Sequence, residues 1–168
     1  MLLNTEATKE MLDKMEPDGL IIATGSNPVI PDVKGAENAR QILDVLPQLN
    51  KLSGKTIIIG AGSIGAEAAL ELAEDGKKVV LIGRNKLLVP RENWLYRIPL
   101  RQHMDKCPTL TRHLETKVLE IRKGSVVVEH ADGSVEEIFG DIEDEHDSSN
   151  YVAKRLEIGA VVGATVVK

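Results

Sequence analysis

The chain has 168 residues, 42% hydrophobic and 28% charged, the balance of one ordinary globular domain and too short for two large ones. Lys plus Arg number 21 against 26 Asp plus Glu, a net charge of −5, and aromatics make up 2%. These values argue against nucleic-acid partners, anionic membrane surfaces and base-stacking platforms, all of which need a basic or aromatic face. A single cysteine, Cys107, excludes an internal disulfide, a cysteine redox pair and a multi-cysteine zinc site, and favours a reducing compartment.

In chain order, Asn4 or Thr5 can cap a helix whose apolar positions Ala7, Met11, Leu12 and Met15 recur at helical spacing. Pro17-Asp18-Gly19 ends it. Leu20-Ile21-Ile22-Ala23 is a continuous apolar run that reads as a strand buried on both faces. Gly25, Pro28 and Pro31 then forbid regular structure to about Gly35. The spacing of Ile42, Val45, Leu46 and Leu49 predicts a helix over 36–49, kinked or ended by Pro47.

The centre carries the clearest pattern. Lys55 to Ile59 reads as a buried strand, Gly60-Ala61-Gly62-Ser63-Ile64-Gly65 as a glycine turn, Ala66 to Asp75 as a helix stopped by Gly76, and Val79 to Ile82 as the next buried strand. Strand, helix and strand within about thirty residues make one βαβ unit with parallel strands. A helix over 94–106 follows, with Pro99 inside it. Three runs, 109–114, 117–122 and 125–130, joined by turn residues such as Lys123-Gly124 and Asp132-Gly133, predict an antiparallel meander. Residues 141–147 hold five carboxylates, a solvated segment, and the tail from Tyr151 has room for a short helix and a final strand. The expected fold is α/β: a Rossmann-like parallel sheet flanked by helices, with the meander on one edge.

A Gly-x-Gly-x-x-Gly pattern is weak alone, but here a strand precedes it and a helix follows. Gly60 permits the tight turn, Gly62 lets backbone approach a diphosphate, and Gly65 lets helix and strand pack closely. The unpaired N–H groups from Ser63 to Ala66 would face the anion at the positive end of the helix. The plain alternative is a strand-to-helix turn with no ligand. NAD sites usually end the second strand in Asp or Glu, which accepts from the ribose 2′-OH. Here the strand ends Ile82-Gly83-Arg84-Asn85, with no acid and an arginine able to grip a 2′-phosphate. That pattern predicts a preference for NADPH over NADH. The alternative is a surface arginine beside a site that accepts either.

Two stretches together, Pro17 to Pro28 (containing Ala23-Thr24-Gly25-Ser26-Asn27-Pro28) and Ile57 to Ala73, resemble the two-dinucleotide-domain flavoprotein reductases. Within these, the similarity is to the C-terminal region of bacterial NADH:flavin oxidoreductases, the group of 2,4-dienoyl-CoA reductase, enoate reductase and trimethylamine dehydrogenase. The resemblance covers about residues 4–140 and implies that Thr24, Gly25 and Ser26 approach FAD. It also implies that Gly60, Ala61, Gly62, Ser63, Ile64, Gly65 and Glu67, with Gly83 and Arg84, line NAD or NADP. It divides the chain into a 1–35 fragment of FAD-domain type, a 36–140 NAD(P)-binding domain, and an acidic linker with an unplaced tail over 141–168. The first FAD glycine motif, the flavin barrel and the iron–sulfur cysteines of that group are absent from these residues, as is its second flavin segment. The resemblance therefore implies a truncated piece whose partner is the rest of the flavoprotein, or a subunit supplying flavin.

No nucleophile–base pair stands out. His103, His113, His130 and His146 lack metal-ligand spacing, so no metal and no catalytic side chain are expected, as befits chemistry carried by cofactors. Glu67 either touches cofactor or simply favours the helix start. With no span or secretory signal evident, cytoplasmic is the default. The expected function is hydride transfer from NAD(P)H to FAD in a parent enzyme. The alternatives are a structural ADP- or dinucleotide-binding module and a docking domain of a reductase complex.

Overall fold

The computed structural model describes residues 2–23, 30–52, 54–140 and, by backbone alone, 158–160. Helix α1 (Lys9–Met15) is capped by Thr8, whose side chain accepts from the Met11 N–H, a few residues later than the capping expected at Asn4 or Thr5. It buries none of its residues.

The apolar run 20–23 departs from expectation. It forms no strand, and Leu20, Ile21 and Ile22 are 55%, 91% and 77% exposed. A strand exists only through its neighbours' hydrogen bonds, and no described strand lies beside this one. The helix read over 36–49 is also broken up. It is a 3₁₀ turn (Ala36–Asn38), strand β1 (Arg40–Gln41), helix α2 (Ile42–Val45) and a further 3₁₀ segment (Leu46–Lys51). The kink comes at Gln48, just after Pro47, with φ −126° and ψ 16°.

The central unit forms as the pattern requires: β2 (Thr56–Ile59), α3 (Ser63–Glu74) and β3 (Val79–Ile82), with β2 and β3 parallel and Thr56 opposite Val79. Gly76, at φ +79°, supplies the left-handed residue after α3. Helix α4 (Trp94–Met104) is capped by the Asn93 side chain on the Tyr96 N–H. Next comes β4 (Leu110–His113), which pairs parallel with β3 and so belongs to the Rossmann-like sheet, not to the meander expected to include it. The meander is β5 (Lys117–Arg122), β6 (Ser125–Glu129) and β7 (Val135–Phe139), a separate three-stranded antiparallel sheet. Strand β8 (Ile158–Ala160) inserts parallel between β1 and β2, giving the order β1-β8-β2-β3-β4. The rest of the acidic segment and tail lies outside the described residues.

Alternation along β2 and β3 splits the core between two faces. Ile58 and Leu81 pack with Ala66, Ala69 and Leu72 of α3 and with Leu100 and Met104 of α4. Ile57, Val80 and Ile82 pack with Ile121, Val126, Val128 and Ile138 of the meander. A parallel strand covered on both faces needs an unbroken apolar run, which Val79 to Ile82 provides. The α/β expectation therefore holds. The meander covers one face of the parallel sheet and is not hydrogen-bonded along its edge as a further strand.

Candidate functional site

The glycine turn sits between β2 and α3, at the carboxyl end of the parallel strands, where ligands of open α/β sheets bind. Gly60 has φ +115°, a conformation that side chains disfavour, and its N–H donates to Ile82 C=O at 2.8 Å. Gly65 is buried in the first turn of α3. A Cβ there would lie 2.0 Å from the Gly60 carbonyl oxygen, so this glycine is what lets the helix sit on the strand. Gly62 differs from both. Its backbone is ordinary, φ −80° and ψ −177°, and a Cβ on it would meet nothing within 4 Å. The fold itself therefore does not need a glycine at 62.

Helix α3 begins with no side-chain cap, and its first internal hydrogen bond runs from Ala66 N–H to Gly62 C=O at 2.9 Å. The N–H groups of Ser63, Ile64 and Gly65 precede that bond and point out of the helix start. This open cradle fits a dinucleotide diphosphate. Ile64 packs partly against the helix-side core, and Ala61 accepts the Val89 N–H at 2.9 Å, which ties the 84–89 loop to the turn.

Gly83 is buried at the end of β3. A Cβ there would come 2.6 Å from the Ala61 Cβ and 3.2 Å from Leu114 Cδ2. The absence of a carboxylate is thus built into the packing, because neighbours occupy the space an Asp or Glu would need. Arg84 and Asn85 are exposed just beyond. Next to them is a cavity of about 460 Å³, with Leu88 and Leu114 in its wall and four cations around it: Lys86, Arg97, Arg101 and Arg112. Asp105 pairs with both Arg101 and Arg112. Arg97 Nε is buried with no hydrogen-bond partner.

Several polar residues at the turn escape sequence reasoning. Ser63 Oγ donates to Glu92 Oε1 at 2.6 Å, and the Tyr96 hydroxyl donates to Glu67 Oε1. Burial first, then the hydrogen bond to Glu67 and the carboxylates of Glu67 and Glu92, push the Tyr96 phenol up to about 12. Glu67 is therefore engaged by α4. The one available signal was Asn93, whose capping role sets Tyr96 in the first turn of α4.

Thr24, Gly25 and Ser26 lie outside the described residues. Spacing along the chain gives no metal-ligand pattern, but the fold brings three such side chains together. His113, His130 and Glu136, from three separate segments, bring ligand atoms within 4.8 Å of one another.

Turn, helix start and parallel sheet define a Rossmann-type nucleotide-binding fold. Residues 2–143 match the family described as pyridine nucleotide-disulphide oxidoreductase, and the chain belongs to that family of FAD- and NAD(P)H-using oxidoreductases. The chain is 33% identical over 138 residues to a bilirubin reductase of Mediterraneibacter gnavus, covering 79% of this chain and 21% of that one. It is 38% identical over 80 residues to a cinnamate reductase of Clostridium sporogenes, covering 48% and 12%. Among solved structures, a 2-naphthoyl-CoA reductase complexed with 2-naphthoyl-CoA superposes with a TM-score of 0.65 at 26% identity, over 94% of this chain and 26% of that one. The chain thus spans about an eighth to a quarter of the length of these three. Among the described residues, no helix is long and apolar enough to cross a membrane.

Proposed function

We propose that this chain is the NAD(P)H-binding part of a flavin-dependent oxidoreductase and that it is inactive alone. In the parent enzyme, hydride passes from the nicotinamide to FAD. Residues 36–140, with β8 (Ile158–Ala160) in their parallel sheet, form the nucleotide domain. Residues 1–35 belong to an FAD domain completed by the rest of the flavoprotein or by a partner subunit, a reading supported by the exposed run Leu20 to Ile22. The observation that carries the proposal is Gly62, open to solvent at the uncapped start of α3. There Gly60 to Gly65 would hold the diphosphate, with Glu67 beside the cofactor. The nicotinamide supplies the hydride chemistry, and the chain's own residues bind and orient it. The relatives' names point to substrates with conjugated double bonds, such as an enoate or an enoyl or dienoyl thioester, as the parent's electron acceptor.

NADPH is the preferred cofactor in this reading. Gly83 leaves no space for the carboxylate that would take a ribose 2′-OH, Arg84 is exposed beside it, and further cations stand behind. A partly exposed charge-assisted contact to a 2′-phosphate is worth on the order of 1.5–3 kcal/mol, roughly ten- to a hundredfold in affinity. Calorimetry with NADPH, NADH and ADP at one salt concentration tests both points. NADPH should bind more tightly than NADH, Arg84→Ala should collapse the ratio, and Gly62→Val should abolish binding. Equal affinity for ADP and NADPH would favour a structural module, and no binding at all a docking domain. Unchanged affinity in Gly62→Val would overturn the site.

A further inference from the structure

We infer that His113, His130 and Glu136 form a binding site for a divalent transition metal, with zinc as its natural probe, that clips the meander to the parallel sheet. The inference is independent of the nucleotide reading. His113 ends β4, His130 follows β6, and Glu136 lies in β7 opposite Val128. The fold therefore brings three ligands together from three segments, on the side where Gly83 N–H donates to His113 C=O at 2.8 Å.

The hydrogen bonds around His130 carry the argument. Buried Thr116 donates its hydroxyl proton to Leu114 C=O at 2.9 Å. Its oxygen is left to accept from His130 Nδ1, 3.3 Å away. With Nδ1 engaged by Thr116, Nε2 is the ring nitrogen left to face Glu136 Oε2, 2.9 Å away. Two lone pairs that close repel unless a cation lies between them. A proton would satisfy that pair and leave His113 without a role. The His113 ring lies with its centroid 5.6 Å from that of His130, which puts a third donor beside the pair. A metal uses all three donors.

Two imidazoles and a carboxylate are a donor set that zinc accepts, with a fourth position left for water beside the half-exposed Glu136. Ligand atoms about 2.0–2.1 Å from a tetrahedral zinc stand about 3.4 Å apart, so from separations within 4.8 Å no pair has more than about 1.4 Å to close by side-chain rotation. Thr116 is the positioning residue that orients His130, as hydrogen-bonded partners of metal-binding histidines do.

The test is calorimetric titration of the metal-free full chain with Zn²⁺, together with thermal unfolding. One equivalent should bind, and the Tm should rise as zinc is added. Glu136→Gln, at an exposed position with no packing role, and His130→Gln should lose that equivalent while far-ultraviolet circular dichroism stays unchanged. Thr116→Val should weaken it about 10- to 100-fold. Absence of stoichiometric binding would overturn the site. So would zinc binding that survives in both Glu136→Gln and His130→Gln, or that disappears in Cys107→Ser.

Discussion

At the scale of single residues, the three motif glycines are not equivalent. Gly65→Ala places a methyl 2.0 Å from a backbone oxygen that cannot move without shifting β2. Thermal unfolding should show a loss of about 1–3 kcal/mol, the usual cost of overpacking. Gly62→Ala, facing open space, should leave the Tm nearly unchanged and weaken nucleotide binding instead. The reverse outcome would mean that the open face at 62 is not where the ligand comes in. Tyr96 makes a second case. Its phenol is pushed up to about 12, so the protonated, hydrogen-bonded form contributes stability at all pH values below the unfolded value of about 10, and that contribution is lost as pH rises through about 12. Ultraviolet titration should reveal a late phenol step that is missing in Tyr96→Phe and comes earlier in Glu67→Gln. A phenol titrating at the ordinary value would show that Tyr96 does not hold Glu67.

At the scale of elements, charged side chains tie β5 of the meander to β7 and to Lys34 outside it. Lys34 Nζ lies 2.7 Å from Glu120 Oε1, Arg122 reaches both Glu120 and Glu137 at 2.9 Å, and Ser125 donates to Glu137. Hydrogen bonds from Lys34 and then Arg122 hold the Glu120 carboxyl below its usual range. The Ser125 hydroxyl and then Arg122 do the same for Glu137. Because both folded values are depressed, the stabilisation is present above the unfolded carboxylate value of about 4.3 and is lost as pH falls through the lowered folded values. Acid unfolding followed by circular dichroism should begin at higher pH in Arg122→Ala than in the parent chain. Coincident acid transitions would show that these exposed pairs contribute nothing measurable. The sequence pattern matches the elements best where one period runs unbroken, in β2, α3 and β3. The match is poorest over 36–49, where apolar spacing fits a helix but Pro47 and the pairing of Arg40 and Gln41 with β8 divide the segment.

At the scale of the whole molecule, the parallel sheet has α3 and α4 on one face and the meander on the other, with the glycine turn at its carboxyl end. Exposed Leu20, Ile21 and Ile22 stand apart from both cores. If residues 1–35 need the remainder of a flavoprotein, and the one Gly-x-Gly-x-x-Gly motif serves the nicotinamide cofactor as proposed, the purified chain should be colourless. A stoichiometric flavin absorbance band would show that these residues complete an FAD site unaided.

What the amino-acid order determined by itself was local: the βαβ unit, the glycine turn and the missing acid at 83, each set by backbone conformation and periodicity within about thirty contiguous residues. Tertiary structure decided what depends on residues far apart in the chain. It placed β4 in the parallel sheet, since a short run alternating in polarity suits either a parallel edge or a meander. It left Leu20 to Ile22 exposed, since an apolar run becomes a buried strand only when another strand bonds to it. It showed that Gly83 is a packing requirement against Ala61 and Leu114, and it set Tyr96 against Glu67 and His113 against His130. Such encounters arise from the crossing of elements, and no spacing along one chain encodes where two elements will cross.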